Sequence, residues 1–404
     1  MPSARTTIRI RIRMSERAID EPHRASSQLE LLFDLTFVVA VATVTAQLAH
    51  SVADGHGLAA LVPFLQVFFA IWWAWMNFTW FASSYDTDDV AYRLLTMVQM
   101  AGVLVLAAGV PAATGHGGFG IVTLGYVIMR TGLVAQWLRA GLEDPAGRRT
   151  ALRYAAGITV VQLGWLLRFF LVDTGVLPAS SALPFFACLV VLELLVPRWA
   201  ERTRATTWHP HHIAERYGLF TIILLGESVL AASRGVAGAL EADEISGHFV
   251  VIAVCSLILL FALWWLYFLI EAGEGLSDRR HRSYLWGYGH YAIFAALAAL
   301  GAGLEVAVEQ SGHAVAASPT ALGYAVAIPA GVFLAALWTV HALVAEPVIH
   351  PAAVVGCLAV LLSLPLAAPG IGVAGVVAAI TAACVLLVAV TITIAGREAG
   401  RPPA

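Results

Sequence analysis

Residues 59–112 read AALVPFLQVFFAIWWAWMNFTWFASSYDTDDVAYRLLTMVQMAGVLVLAAGVPA. Two apolar runs, 59–82 and 92–112, stand on either side of the acidic break Asp86-Thr87-Asp88-Asp89. Each matches the ~20 residues that an α-helix needs to cross the hydrocarbon core of a bilayer. Strands and core helices of water-soluble domains are shorter and carry polar residues at helical or alternating spacing, so this stretch reads as two membrane spans joined by a short turn.

Outward from it the same rhythm continues from Gln28 almost to the C-terminus. A hydrophobic fraction of 60%, a charged fraction of 12% and a mean hydropathy of +0.81 contrast with the ~25% charged residues of soluble domains and exclude a soluble catalytic domain. At roughly twenty residues per span, spans are expected at 29–50, 59–82, 92–112, 117–139, 151–172, 181–200, 214–234, 248–271, 287–309, 321–343, 352–368 and 371–394. The fold class is therefore an all-α polytopic membrane protein of about twelve transmembrane helices. Pro365 and Pro369 interrupt the last pair, which one re-entrant hairpin would also explain.

Every basic side chain other than histidine is arginine, and its placement predicts orientation, because short cytoplasmic loops are enriched in basic residues. Arginines gather in the first 24 residues and at Arg148, Arg149 and Arg153, at Arg198, Arg202 and Arg204, and at Arg279, Arg280 and Arg282. Both termini are thus expected in the cytoplasm. The organisation that follows is an Arg-rich arm over 1–28, six-helix halves over 29–205 and 206–396, and a tail over 397–404. The arm has no apolar core or small-residue cleavage site, so it reads as a disordered cytoplasmic segment and not a cleaved signal. Glu30 and Glu215 at the starts of the first and seventh spans, and the pairs Trp72-Trp73 and Trp264-Trp265 in the second and eighth, suggest two parallel repeats.

Ionisable groups within apolar spans are costly and mark pathways or structural pairs. Glu30 and Asp34 lie four residues apart on one helix face, where two close carboxylates should push one pKa up and could share a proton. Glu227 in Gly226-Glu227-Ser228 sits deep in the seventh span, with small neighbours that would admit another helix. His290 and Glu305 lie in the ninth. Arg130 and Arg168 are candidate cationic partners, and Asn77 and Gln99 candidate neutral ones. The proton, ion or solute pathway is accordingly expected among Glu30, Asp34, Asn77, Gln99, Glu227, His290 and Glu305.

A second set reads as helix-start structure. In Asp86, Asp88, Asp89 and Arg93, the four-residue step from Asp89 to Arg93 predicts an ion pair. His212, Glu215 and Arg216 follow His209 and His211 at the head of the seventh span, where Glu215 suits the helix dipole and no zinc-site spacing is met. Trp72, Trp73, Trp75, Trp80, Trp264 and Trp265 are too deep or too clustered for an interfacial belt alone, so they are assigned to packing or to a cavity wall. Cys188, Cys255, Cys357 and Cys384 are far apart and read as small packing residues. No phosphate loop, nucleophile elbow or HExxH pattern occurs, so no metal, cofactor or enzyme activity is expected. A net charge of -3 argues against nucleic acid, which leaves the lipid bilayer and a small solute or ion as partners.

ELLFDLTFV at 30–38, WWAWMNFTWFASSYDTDDVAYRLLTMVQM at 72–100 and HHIAERYGLFTIILLGESV at 211–229 resemble the low temperature requirement A (LtrA) family of bacterial membrane proteins. His290, Gly303 and Glu305 fit that family's later positions. The resemblance implies a multi-pass protein of the bacterial cytoplasmic membrane, and it carries no substrate with it. Phe33-Asp34 is also similar to the Phe-Ser-Asp motif of a channel family with two six-helix repeats, although the central serine is missing here. The expected function is a proton- or ion-coupled secondary transporter, with Glu227 and Asp34 as coupling carboxylates. The alternatives are an ion channel and a membrane-embedded enzyme acting on lipid.

Overall fold

The computed structural model describes residues 10–22, 24–115, 117–241, 246–311 and 315–399. The first nine residues of the arm and residues 400–404 of the tail lie outside them. Among the described residues every regular element is helical. These are α1 (Gln28–Ala53), α2 (Gly57–Tyr85), α3 (Val90–Gly115), α4 (Gly120–Glu143), α5 (Arg148–Asp173), α6 (Ala182–Ala200) and α7 (Pro210–Glu241). There follow α8 (Gly247–Tyr267), the short α9 (Ala272–Asp278), α10 (Ser283–Glu309), α11 (Pro319–Val344), α12 (Pro351–Ser363) and α13 (Ala368–Ala399). Among the described residues ten helical segments are long and apolar enough to cross a membrane, α1 to α6 among them.

Local chemistry sets where the helices begin. Ser27 and Glu30 form a reciprocal capping box at α1: the Ser27 Oγ accepts from the Glu30 amide at 3.3 Å, and the Glu30 Oε2 accepts from the Ser27 amide at 2.7 Å. Asp89 caps α3 by accepting from the Tyr92 amide at 2.9 Å. Ser246 and Ser318 cap α8 and α11, and prolines open α11 and α12, where their missing N–H is no loss. α12, with only 13 residues, rises about 20 Å and falls short of a ~30 Å hydrocarbon core. Gly372 then takes a φ of 71°, inside what is otherwise helix, and turns the chain into the body of α13. α12 lies against α13 there, where the Cys357 thiol donates to the Ala383 carbonyl at 3.9 Å.

The chain divides into two compact units, one holding the residues up to Ala40 and Phe69–Arg216, the other Val41–Phe68 and the residues from Tyr217 onward. In the first, α3 and α4 approach through glycines. A Cβ on Gly102 would lie 2.6 Å from Met129 Cγ, and one on Gly109 would lie 2.6 Å from the Val122 amide nitrogen. In the second, α10 is the core helix, with 78% of its most apolar window buried. Its Gly301 lies against Ser228, where a Cβ would come within 2.8 Å of the Ser228 Oγ. Gly226, the other small neighbour of Glu227, faces open space, so close helix approach occurs on the serine side alone.

The described part of the arm is ordered, against the sequence expectation of a disordered segment. From Ile10 it runs as a strap over the first unit. The Ile12 amide donates to Asp89 at 2.9 Å, the Met14 amide donates to Glu143 at 2.7 Å, and the Arg17 amide donates to the Ser84 carbonyl at 2.9 Å. Met14 is buried, and Glu16 meets Tyr85 and Arg204. Burial pushes the Glu16 carboxyl above its ordinary range, although Arg204 opposes the shift. The six tryptophans also fall into separate classes. Trp72, Trp73 and Trp75 are buried, whereas Trp264 and Trp265 are 44% and 48% exposed and face outward, so the two tryptophan pairs occupy unlike environments.

Candidate functional site: a buried ionic network

Two four-residue steps meet in the first unit. Glu30 and Asp34 on α1 face His212 and Arg216 on the first turns of α7, each pair stacked on one side of its helix. Arg216 reaches both carboxylates. Its Nε and Nη2 donate to Asp34 Oδ2 and Oδ1 at 3.1 and 2.5 Å, and its Nη1 lies 2.9 Å from Glu30 Oε1. Trp75 Nε1 donates to Asp34 Oδ1 at 2.7 Å. The two carboxylates therefore bracket a guanidinium and do not share a proton; an arginine held between them supplies the counter-charge that a proton would have given.

Glu30 is the hinge of the arrangement, because one oxygen closes the α1 capping box while the other faces Arg216 and, at 3.0 Å, the His212 Nε2. A carboxylate only accepts, so Nε2 carries a hydrogen, and Nδ1 is buried with no hydrogen-bond partner among the described residues. His209, the residue before α7, caps that helix by accepting from the His212 amide at 3.3 Å, which explains the histidine cluster without a metal. Arg24, just ahead of α1, lies 3.8 Å from Glu30 and 3.6 Å from Asp86. Asp86 thus belongs to the buried network as well as to the turn. Burial and the charge of Glu30 push its carboxyl up to about 6, opposed by Arg24 and Arg17. Tyr92 is also buried here, and its hydroxyl has no hydrogen-bond partner among the described residues.

The rest of the acidic turn pairs differently from the sequence expectation. Arg93 holds Asp88, at 2.8 Å through both Nε and Nη2, and not Asp89. Asp88 adopts a φ of 50°, a left-handed conformation that helix-based spacing cannot anticipate. Asp89 instead takes two bonds from Arg139, at 2.8 and 2.6 Å. These bonds, with those from the Ile12 and Tyr92 amides, hold its carboxyl down near 2 against the effect of burial. Glu215 accepts from the Ser26 amide at 3.3 Å.

A second buried pair lies deeper in the same unit. Glu193 on α6 accepts from Arg130 at 2.9 Å, Trp73 at 2.8 Å, and Tyr126 and Trp165 at 3.1 Å. Glu193 is absent from the sequence-derived set, although a lone acid in the apolar run Leu189–Val196 was signal enough. Asn77 donates to the Trp73 carbonyl on its own helix, and Gln99 donates to Gln136 at 2.9 Å. Arg168 bonds the Ala182 carbonyl and lies over the rings of Phe119 and Phe186, away from the acids it was expected to serve.

Glu227, His290 and Glu305 belong to the second unit. Glu227 is buried and Glu305 half-buried. His290 Nδ1 lies 2.8 Å from the Trp286 carbonyl, which can only accept, so Nδ1 carries the hydrogen and Nε2 accepts from the Tyr267 hydroxyl at 3.1 Å. Tyr217, Trp286 and Phe294 surround the ring. His290 is thus a neutral core histidine placed by aromatic packing. Among the described residues no group of three or more His, Cys, Asp or Glu is arranged to hold a metal ion.

Residues 25–392 match the family described as bacterial low temperature requirement A protein (LtrA). The chain belongs to the LtrA family. The match takes in the capping box, the acidic turn, the Glu193 pair and the head of α7, so the network except Arg24 and the arm lies inside the residues that match the LtrA family. The chain is also similar to the uncharacterized protein RA0937 of Rhizobium meliloti (strain 1021), at 28% identity over 282 residues, 65% of each chain.

Proposed function

We propose that this LtrA-family protein is a proton-coupled secondary transporter of a small solute or ion in the bacterial cytoplasmic membrane, with both termini inside. The observation that carries the reading is the charge balance of the buried network. Glu30, Asp34 and Asp86 are three carboxylates facing the guanidiniums of Arg24 and Arg216, with Arg17 already engaged bidentately by Glu21. One negative charge is left over inside low-dielectric surroundings, where an uncompensated charge is strongly disfavoured. A proton on His212 Nδ1 or on Asp86 cancels it. Loss of that proton leaves Glu30 and Asp34 competing for Arg216, which ties α1 and α7 to the protonation state and gives the helices a reason to move with it. The arginine-rich segments support the orientation.

The test is flux in proteoliposomes with a pH dye inside and imposed pH, sodium and potassium gradients. Proton movement that requires a second ion or solute, and falls at least tenfold in Asp86→Asn and in Glu30→Gln, is the expected result. Rapid flux without a coupled proton would replace the carrier with a channel, and vesicles as tight as empty ones under every gradient would remove the proposal.

A further inference from the structure

Arg130 has a second side. Its Nη2 serves Glu193 and the Tyr126 hydroxyl, while Nε and Nη1 are buried with no hydrogen-bond partner among the described residues, in a side chain 2% exposed. A cavity of about 10 Å³ adjoins it, lined also by Gln99, Phe33, Phe37, Ala74 and Val103, with room for one occupant the size of a water or a monatomic ion. Buried guanidinium hydrogens left unsatisfied are expensive, and the apolar remainder of the wall strengthens any charge interaction made there.

The polarity of the wall is fixed by a relay. Thr96 donates to the Tyr92 carbonyl at 2.8 Å, so it accepts from Gln136 Nε2 at 3.1 Å, and Gln136 Oε1 must then accept from Gln99 Nε2 at 2.9 Å. Gln99 is thereby held with its amide nitrogen engaged and one further N–H to give. On the far side Glu193 spreads its charge over two indole N–H groups and a phenol as well as Arg130. The cavity side of the guanidinium stays electropositive.

From this geometry we propose that the Arg130 cavity is a binding site for a single small anion of the halide class, held by Arg130 Nε and Nη1. The site does not depend on the transport reading, because binding is measured without flux. If transport holds, a halide becomes a candidate for the transported ion.

The experiment follows thermal unfolding of the full chain in nanodiscs while chloride or bromide replaces gluconate at fixed ionic strength. A ligand that binds only the folded state raises the midpoint with concentration. The wild type is expected to show a saturable, halide-specific rise, and anomalous scattering should place bromide beside Arg130. Ala74→Val fills the cavity and leaves the Arg130–Glu193 pair intact, so it should weaken the apparent halide affinity at least tenfold. A wild type indifferent to halide, meaning that the cavity takes water alone, overturns the proposal. So does a halide response that survives Ala74→Val, or a bromide that sits elsewhere; the scattering result decides the matter even if the variant does not fold.

Discussion

The two units solve the same problem, polar groups in an apolar interior, with opposite chemistry. The first buries ions: Arg216 between Glu30 and Asp34, Arg130 on Glu193, Arg139 on Asp89. Around His290 the second uses a neutral chain, in which Tyr267 gives a hydrogen to His290 and His290 gives one to the Trp286 carbonyl. Ion pairs lose heavily when one partner is removed, since the other charge is stranded, whereas a neutral bond loses only its own modest share. The contrast teaches that losing one partner should cost far more at the ion pairs of the first unit than around His290 in the second.

Three substitutions break or sharpen this contrast. Arg216→Gln strands two buried carboxylates, and should lower unfolding stability in nanodiscs by about 3–5 kcal/mol. Adding Glu30→Gln and Asp34→Asn should restore much of the loss; a triple variant no more stable than the single one would mean that Arg216 acts through packing. Next in size is Asp86. A carboxyl whose folded value is raised, to about 6, binds its proton more tightly folded than unfolded, so stability declines as pH rises from about 4 to about 6 and is flat above. Asp86→Asn should remove that slope, on the order of 2–3 kcal/mol across the window, and pH-dependent melting would reveal it. The smallest effect belongs to the second unit, where His290→Gln should cost about 1–2 kcal/mol and leave the pH profile of melting unchanged. A changed profile would mean that His290 itself titrates in the folded protein.

Much of this was legible in sequence wherever the cause is local. The expected spans 92–112 and 181–200 became Val90–Gly115 and Ala182–Ala200, because long apolar runs and their polar breaks are properties of neighbouring residues. Glu30 and Asp34 were read as carboxylates within a span, and His212 and Arg216 as the start of a helix; the structure brings the four together. Their partnership was not legible, since Asp34 and Arg216 are 182 residues apart in the chain. Glu193 was overlooked although its place in an apolar run marked it, and its partners Arg130 and Trp73 lie 63 and 120 residues away, while a single left-handed residue, Asp88, exchanged the expected partner of Arg93. The strap was missed for a related reason: alternating Ile and Arg give no span and no cap, and its order comes from carboxylates and carbonyls that the rest of the unit presents.

That strap has a bearing on how the protein is made. Met14 waits for Glu143, 129 residues later, and Glu16 for Arg204, 188 residues later. At ~5–20 residues per second of synthesis, this is a delay of roughly ten seconds or more. Among the first described segments to leave the ribosome, the strap is among the last in its unit to dock, so its closure reports that α2 to α6 have been inserted and assembled.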